Sequence, residues 1–161
     1  MITVSAFKED DVAIAYSIVK TARINPWSFT TFHQSAMNGL SLVAKENKMV
    51  VGYILLSSVL DEFTFEDITV DLAHRNKGIG RKLMEVSFLK AAETKQKSIL
   101  LEVRYSNKKA INLYRALGFE LIGERKNYYD TAVDVSHGVE TKKTDKNLPT
   151  RENAYIMKKV L

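Results

Sequence analysis

Hydrophobic and polar positions follow two rhythms along this chain, and each change of rhythm marks an element. Period two in "ITVSAF" predicts a first strand, after which "EDDVAIAYSIVKTARI" sets Val12, Tyr16, Val19 and Arg23 at helical spacing behind an acidic first turn. Pro26 cannot sit inside that helix, because its ring removes a hydrogen bond and clashes with the turn before it, so Asn25-Pro26 is a turn and "NPWSFTTFHQSAM" predicts a short second helix. "LSLVAKE" and "MVVGYILLSSVL" flank Asn47-Lys48 as a hairpin, and "EFTFEDITV" alternates through Phe63, Phe65 and Asp67. From Ile79 to Lys95 the period becomes helical, with Leu83, Met84, Val86, Phe88, Leu89 and Ala92 forming a broad apolar face suited to a sheet. "KSILLEVRY" is a nearly continuous apolar run, the pattern of a strand buried on both faces, and the helix before it makes a parallel crossover natural. Asn107 to Leu117 predicts another helix closed by Gly118, and "FELIGERKNYY" and "ENAYIMKKVL" are the last strands. Between them, at about 130–151, runs a polar stretch without a period, expected to be a long hairpin loop.

Composition adds limits. A chain of 161 residues with 45% hydrophobic and 27% charged positions fits one domain that can bury a core without staples, so residues 1–161 are read as a single unit. The absence of cysteine removes disulfides, thiolate zinc sites and cysteine nucleophiles together, and is compatible with a reducing compartment. The start "MITVSAFKEDD" lacks the basic and apolar parts of a signal peptide, and the longest apolar run, Met49 to Leu60, is too short to span a bilayer; a cytoplasmic protein without a membrane partner is expected. A net charge of +5 leans towards anionic partners, though so small an excess also serves solubility.

"DLAHRNKGIGRKLMEVSFL", Asp71 to Leu89, packs cations around a Gly-Ile-Gly turn and runs into the second long helix. Glycine lets backbone N–H groups approach a ligand, and a helix start leaves several such donors unpaired at the positive end of its dipole, so a phosphate would bind there. The alternative is a basic strand-to-helix connection. A dinucleotide fingerprint needs a third glycine where Leu83 stands, a P-loop needs a Gly-Lys-Ser/Thr that does not occur, and no Gly-x-Ser-x-Gly elbow exists. His33, His74 and His137 lack metal-ligand spacing, so no metal is expected.

What remains is Arg75-x-x-Gly78-x-Gly80 between a strand and a helix, and here the chain resembles the GNAT superfamily of acetyl-CoA-dependent N-acetyltransferases. "NPWS", "ITVD", "LLEVRYSNKKAINLYRALGF" and "RKNYY", with a weaker match at "NAYIMKKVL", sharpen the likeness to the RimI type, which acetylates the N-terminal alanine of a small-subunit ribosomal protein. The resemblance implies an α/β (α+β) fold: one GNAT-like domain with a mixed, mostly antiparallel sheet of about seven strands and about four helices on both faces, splayed at a parallel pair where acetyl-CoA binds. It implies that Ile68, Thr69 and Val70 line the pantetheine arm, and that Asn76, Lys77, Gly78, Ile79, Gly80 and Arg81 hold the pyrophosphate. Asn107 would touch the coenzyme as well; read from the residues alone, it caps the helix that it opens.

Two residues carry the expected chemistry. Glu102 interrupts an otherwise apolar strand, and burying an acid is costly unless something stabilises it. Either it pairs with a cation such as Arg104, or burial raises its pKa so that it serves as a base; the resemblance assigns it the role of proton acceptor. Tyr114 shares a helix face with Ala110, Ile111 and Leu117, so the pattern allows a core residue, whereas the resemblance makes it the proton donor to the departing thiolate. With no cysteine to carry an acetyl group, direct attack of a neutral amine in a ternary complex is expected, and a backbone N–H near Val70 would steady the oxyanion. An α-amine, with a reference pKa of about 7.7–8.0, needs less help than a lysine at about 10.4. Trp27 and Phe29 are either packing residues or part of the acceptor groove. Two other functions fit less of the pattern. A small-amine acetyltransferase predicts an acidic pocket around Asp61, Glu62 and Glu66, and a non-catalytic phosphate or RNA-binding module needs only the basic loop. Aromatics are not interleaved with the cations, so direct nucleic-acid binding is not expected.

Overall fold

The computed structural model describes residues 1–23, 25–130 and 151–161; the expected loop at 130–151 falls, but for its two ends, outside them. Seven strands form one sheet in the order β1-β2-β3-β4-β5-β7-β6. These are β1 (Ile2–Ala6), β2 (Leu42–Glu46), β3 (Met49–Val59), β4 (Glu62–Val70), β5 (Ser98–Arg104), β6 (Glu120–Asp130) and β7 (Arg151–Val160). Every neighbouring pair is antiparallel except β4 and β5, which the crossover through a helix makes parallel.

Four helices cover the two faces. On one, α1 (Glu9–Ala22) and α2 (Phe29–Ala36) bury Val12, Ala15, Val19 and Phe32 against Val43, Tyr53 and Leu55. On the other, α3 (Ile79–Glu93) and α4 (Lys108–Ala116) bury Leu83, Met84, Ile111 and Tyr114 against Ile54, Leu56, Phe63 and Leu101. The helix starts follow from local chemistry. Lys8 N–H donates to Asp11 Oδ2 at 2.9 Å ahead of α1, Ser28 Oγ accepts from Thr31 N–H ahead of α2, and Asn107 Oδ1 accepts from Ala110 N–H ahead of α4. Only part of the predicted face of α3 is buried: Leu89 is exposed and Ala92 points away, because the helix presents the Leu83–Ser87–Ala91 ridge instead. A single 3-10 turn, Leu72–His74, lies between β4 and α3 and left no periodic trace.

The feature that builds the site is a one-residue slip in β4. Leu55 pairs with Asp67 and Leu56 with Phe65, so Glu66 is an extra residue, a β-bulge. Before it, Phe63 and Phe65 point to the α3/α4 face; after it, Ile68 and Val70 do, while Asp67 and Thr69 turn to the α1 face beside Leu55 and Tyr53. The unbroken alternation through Phe63, Phe65 and Asp67 therefore does not describe one face. Parallel pairing of β4 with β5 runs from Glu62↔Ser98 to Phe65↔Leu101 and stops at the bulge. Beyond that point β5 stays with β7 out to Arg104↔Ala154, and β4 diverges from it. The sheet is split between Asp67–Val70 and Glu102–Arg104.

Candidate active site

A cleft of about 580 Å3 opens on the α3/α4 side of the split. Its walls are Ile68 and Val70 from β4, the loop and first turn at Arg75, Asn76, Gly78, Ile79, Gly80 and Arg81, and Asn107, Ala110, Leu113 and Tyr114 around α4. Gly78 has φ 76°, a left-handed conformation that costs a residue with a Cβ about 1–2 kcal/mol, and Asn76 at φ 62° is of the other type that tolerates it. Arg75 Nε donates to Val70 O at 3.0 Å and ties the loop to the end of β4, and Asp71 N–H donates to Val51 O at 2.9 Å. No side-chain hydrogen bond caps α3, in contrast to α2 and α4, so the amides of its first turn face the cleft with the positive end of the helix dipole. Lys109 Nζ donates to Asn76 Oδ1 across the mouth, and His74 sits between Asp71 Oδ2 at 2.7 Å and Glu46 Oε2 at 3.4 Å.

Asn107 supplies a test of whether these walls suit a coenzyme. The residue is 2% exposed, its Oδ1 is taken by the helix cap, and its Nδ2 is buried in the cleft wall without an acceptor among the described residues. A buried donor left unpaired is costly, and a pantetheine arm with its carbonyls is an acceptor of the right kind. Apolar Ile68, Val70 and Leu113 beside uncapped amides and cations fit an arm ending in phosphates.

On the α1 side of the split lies a second cavity of about 40 Å3, walled by Arg23, Glu66, Asp67, Glu102 and Tyr114 among others. Ile68 and Tyr114 line both spaces, so the phenol stands at the passage between them. Tyr114 is 7% exposed, which makes it a core residue and a site residue at once; burial, then the charge of Asp67, raises its pKa to about 12, with Arg23 acting the other way. Glu102 pairs with a cation, as one of the two expectations had it, but the cation is not Arg104. Its side chain is 26% exposed and pairs with Arg125 Nε of β6 at 3.0 Å, while Arg104 bonds to Glu152 of β7 at 3.4 Å. Central strands can carry such a residue here because β4 has left and the gap admits water. Tyr128 lies beside Glu102, and burial together with that negative charge raises its pKa.

Of the residues expected to hold the coenzyme, Ile68, Val70, Asn76, Gly78, Ile79, Gly80, Arg81 and Asn107 converge on the cleft. Thr69 and Lys77 do not line it: the bulge turns the Thr69 hydroxyl to Asp67, and Lys77 is exposed. Trp27 and Phe29 are 38% and 46% exposed, which rules out the core reading; Phe29 packs edge-on against Tyr16, whose hydroxyl donates to Trp27 O at 2.7 Å. Asp61 and Glu62 lie at the closed end of the β4–β5 pair, bound by Lys97 at 2.8 Å and Lys158 at 3.1 Å, so only Glu66 of the expected acidic trio reaches the small cavity. Sequence reasoning missed Arg23, Asp67 and Arg125; a polar residue at a strand position otherwise filled by apolar ones was the one available sign for Asp67. Among the described residues no helix is long and apolar enough to cross a membrane.

Comparison with known proteins agrees with this geometry. The family model described as Acetyltransferase (GNAT) family matches residues 9–119. The [ribosomal protein bS18]-alanine N-acetyltransferase of Escherichia coli K12 is 35% identical over 132 residues, covering 81% of this chain and 89% of that one. The enzyme of the same description from Salmonella typhimurium is 37% identical over 134 residues, covering 82% and 90%. The crystal structure of the ribosomal-protein-S18-alanine N-acetyltransferase from Escherichia coli superposes with a TM-score of 0.83 at 33% identity, covering 99% of this chain and 94% of that one. The overall fold is thus shared, and the chain belongs to the GNAT family as an N-acetyltransferase that uses acetyl-CoA.

Proposed function

We propose that this enzyme acetylates the N-terminal α-amine of a protein in the cytoplasm, with the N-terminal alanine of ribosomal protein bS18 as its acceptor, and that Glu102 and Tyr114 move the protons. One observation carries the reading: Tyr114 and Ile68 line both the large cleft and the small cavity, so a donor on one face of the sheet and an amine on the other meet at the split. The acceptor follows from the likeness to the bS18-alanine enzymes over four-fifths of the chain.

Acetyl-CoA would lie along Ile68 and Val70 with its phosphates at Asn76–Arg81, and when bound it supplies an acetyl group on a thioester that an amine can attack. Gly78, Ile79, Gly80 and Arg81 offer backbone N–H groups to the phosphates, Asn107 Nδ2 offers its unpaired donor to the arm, and an N–H near Val70 faces the carbonyl oxygen. Glu102 takes the proton that the amine loses as its C–N bond forms, directly or through one water. As the C–S bond breaks, Tyr114 gives its hydroxyl proton to the sulfur. Its pKa, raised to about 12, keeps the phenol protonated throughout the working range, so the proton is present to be given, though from a weaker acid than a free phenol.

A small-amine acceptor is less well supported, since Asp61 and Glu62 are paired at the other end of β4. The test is thiol release from acetyl-CoA with a peptide bearing the N-terminal alanine, beside the same peptide with a blocked N-terminus and an internal lysine, and a panel of polyamines. Turnover is expected with the free α-amine alone. Glu102→Gln and Tyr114→Phe should each lower kcat by about 100-fold or more while leaving the Kd for acetyl-CoA within about threefold; near-parent turnover in both discards the assigned roles.

A further inference from the structure

One buried charge pair at the split is not used by the chemistry above. Asp67 is 7% exposed, and its two oxygens accept three hydrogen bonds: from Arg23 Nη2 and Thr69 Oγ1 on Oδ1, the latter at 3.1 Å, and from Tyr53 Oη on Oδ2 at 2.7 Å. A carboxylate so occupied cannot readily serve as a base. Nor does the fold require it, because a buried ion pair is often no more stabilising than apolar residues of the same size. Yet the bulge at Glu66 is what delivers Asp67 to this face, and Arg23, the residue that ends α1, reaches across to meet it. Both side chains wall the same small cavity as Tyr114.

We propose that Arg23 and Asp67 are positioning residues for acetyl transfer: the pair fixes the end of α1 to β4 and sets the electrostatic field at the Tyr114 hydroxyl from the acceptor side. The inference rests on the reading of Tyr114 as proton donor. Two opposite charges held together present the phenol with a near-neutral dipole, where either charge alone would favour or oppose phenolate. The directions agree, since Asp67 raises and Arg23 lowers the pKa of Tyr114. Other charged groups also face Tyr114. Glu66 of β4 and Glu102 of β5 share its small cavity, the latter paired with Arg125 of β6, and on the coenzyme side stand His74, Arg75, Arg81 of α3 and Lys109 of α4. They are constant across the variants below and cancel in the comparison.

The test uses the full chain with 3-fluorotyrosine, whose more acidic phenol brings titration into an accessible pH range, read by 19F NMR with the Tyr114 signal assigned by its loss in Tyr114→Phe. Asp67→Asn keeps the shape of the side chain and removes the negative charge beside Tyr114, so the Tyr114 midpoint should fall by about one pH unit; Arg23→Gln removes the positive charge and keeps that of Asp67, and the midpoint should rise by about as much. The double variant should return towards the parent. Each single variant should lower kcat with the alanine peptide about tenfold while the KM for acetyl-CoA changes little. Shifts in the same direction, or no shift in either variant, overturn the proposal, since a purely structural role would not reverse sign. Should Asp67→Asn fail to fold, Arg23→Gln alone reads the sign, because Arg23 is 23% exposed and its loss leaves the Tyr53 and Thr69 bonds in place. Normal turnover in Tyr114→Phe would remove the donor reading and leave these midpoint shifts standing, so the two failures are distinguishable.

Discussion

Asn107 offers a test in which folding and coenzyme binding can be moved separately. Its carbonyl oxygen caps α4 and its amide nitrogen has no acceptor among the described residues. Serine at this position keeps a capping oxygen and removes the nitrogen; alanine removes both. The cap is worth about 1 kcal/mol, so Asn107→Ala should lie about that far below Asn107→Ser in urea denaturation of the ligand-free protein. An unpaired buried donor costs about 1–3 kcal/mol, part of which both variants recover, so Asn107→Ser should be no less stable than the parent. Binding should behave otherwise. A net hydrogen bond of about 0.5–1.5 kcal/mol to the coenzyme corresponds to a loss of about twofold to tenfold in affinity, and both variants should show it equally in calorimetric titration with coenzyme A. If affinity instead tracks stability, with Asn107→Ser binding as the parent does, the residue is a helix cap and nothing more.

Two further outcomes follow from the geometry. Tyr114 has its pKa raised from 10.0 to about 12 by folding, so its contribution to stability is complete below about pH 10 and is lost as pH climbs to about 12, about 3 kcal/mol in all; the stability of Tyr114→Phe measured over that range should fall less than the parent's by that amount, and parallel curves would refute the buried phenol. At Gly52, a Cβ would stand 3.0 Å from Thr69 O and 3.3 Å from Val70 Cα, where β4 walls the cleft, so Gly52→Ala should destabilise by about 1–3 kcal/mol and weaken acetyl-CoA binding as β4 is pushed towards the coenzyme. Unchanged affinity in a folded Gly52→Ala protein would show that this wall is free to move.

Local pattern carried much of the fold. The strand, helix and hairpin order, the parallel crossover into β5 and the glycine loop before α3 are all written in stretches of a few residues, where periodicity and turn chemistry act. What escaped lies between distant positions or in a change of phase. The Glu102–Arg125 pair joins two strands, and the Arg23–Asp67 pair spans 44 residues, and nothing in either neighbourhood announces the other. The bulge was hidden for a subtler reason. Phe63, Phe65, Asp67 and Thr69 are all buried, so the count of every second residue looks intact, although the row changes sides of the sheet between Phe65 and Asp67. Tyr114 was legible as apolar-face tyrosine from spacing alone, and only its place between two cavities distinguishes it from an ordinary packing residue.

That hidden change of sides gives a single amino acid unusual leverage. Were Glu66 drawn into the ladder opposite Leu55 instead of bulging out of it, every side chain from Asp67 to Val70 would swap allegiance: the acid would enter the greasy channel, and isoleucine and valine would face the incoming amine. Register at this point, more than the chemical identity of residue 66, keeps donor and acceptor in separate compartments.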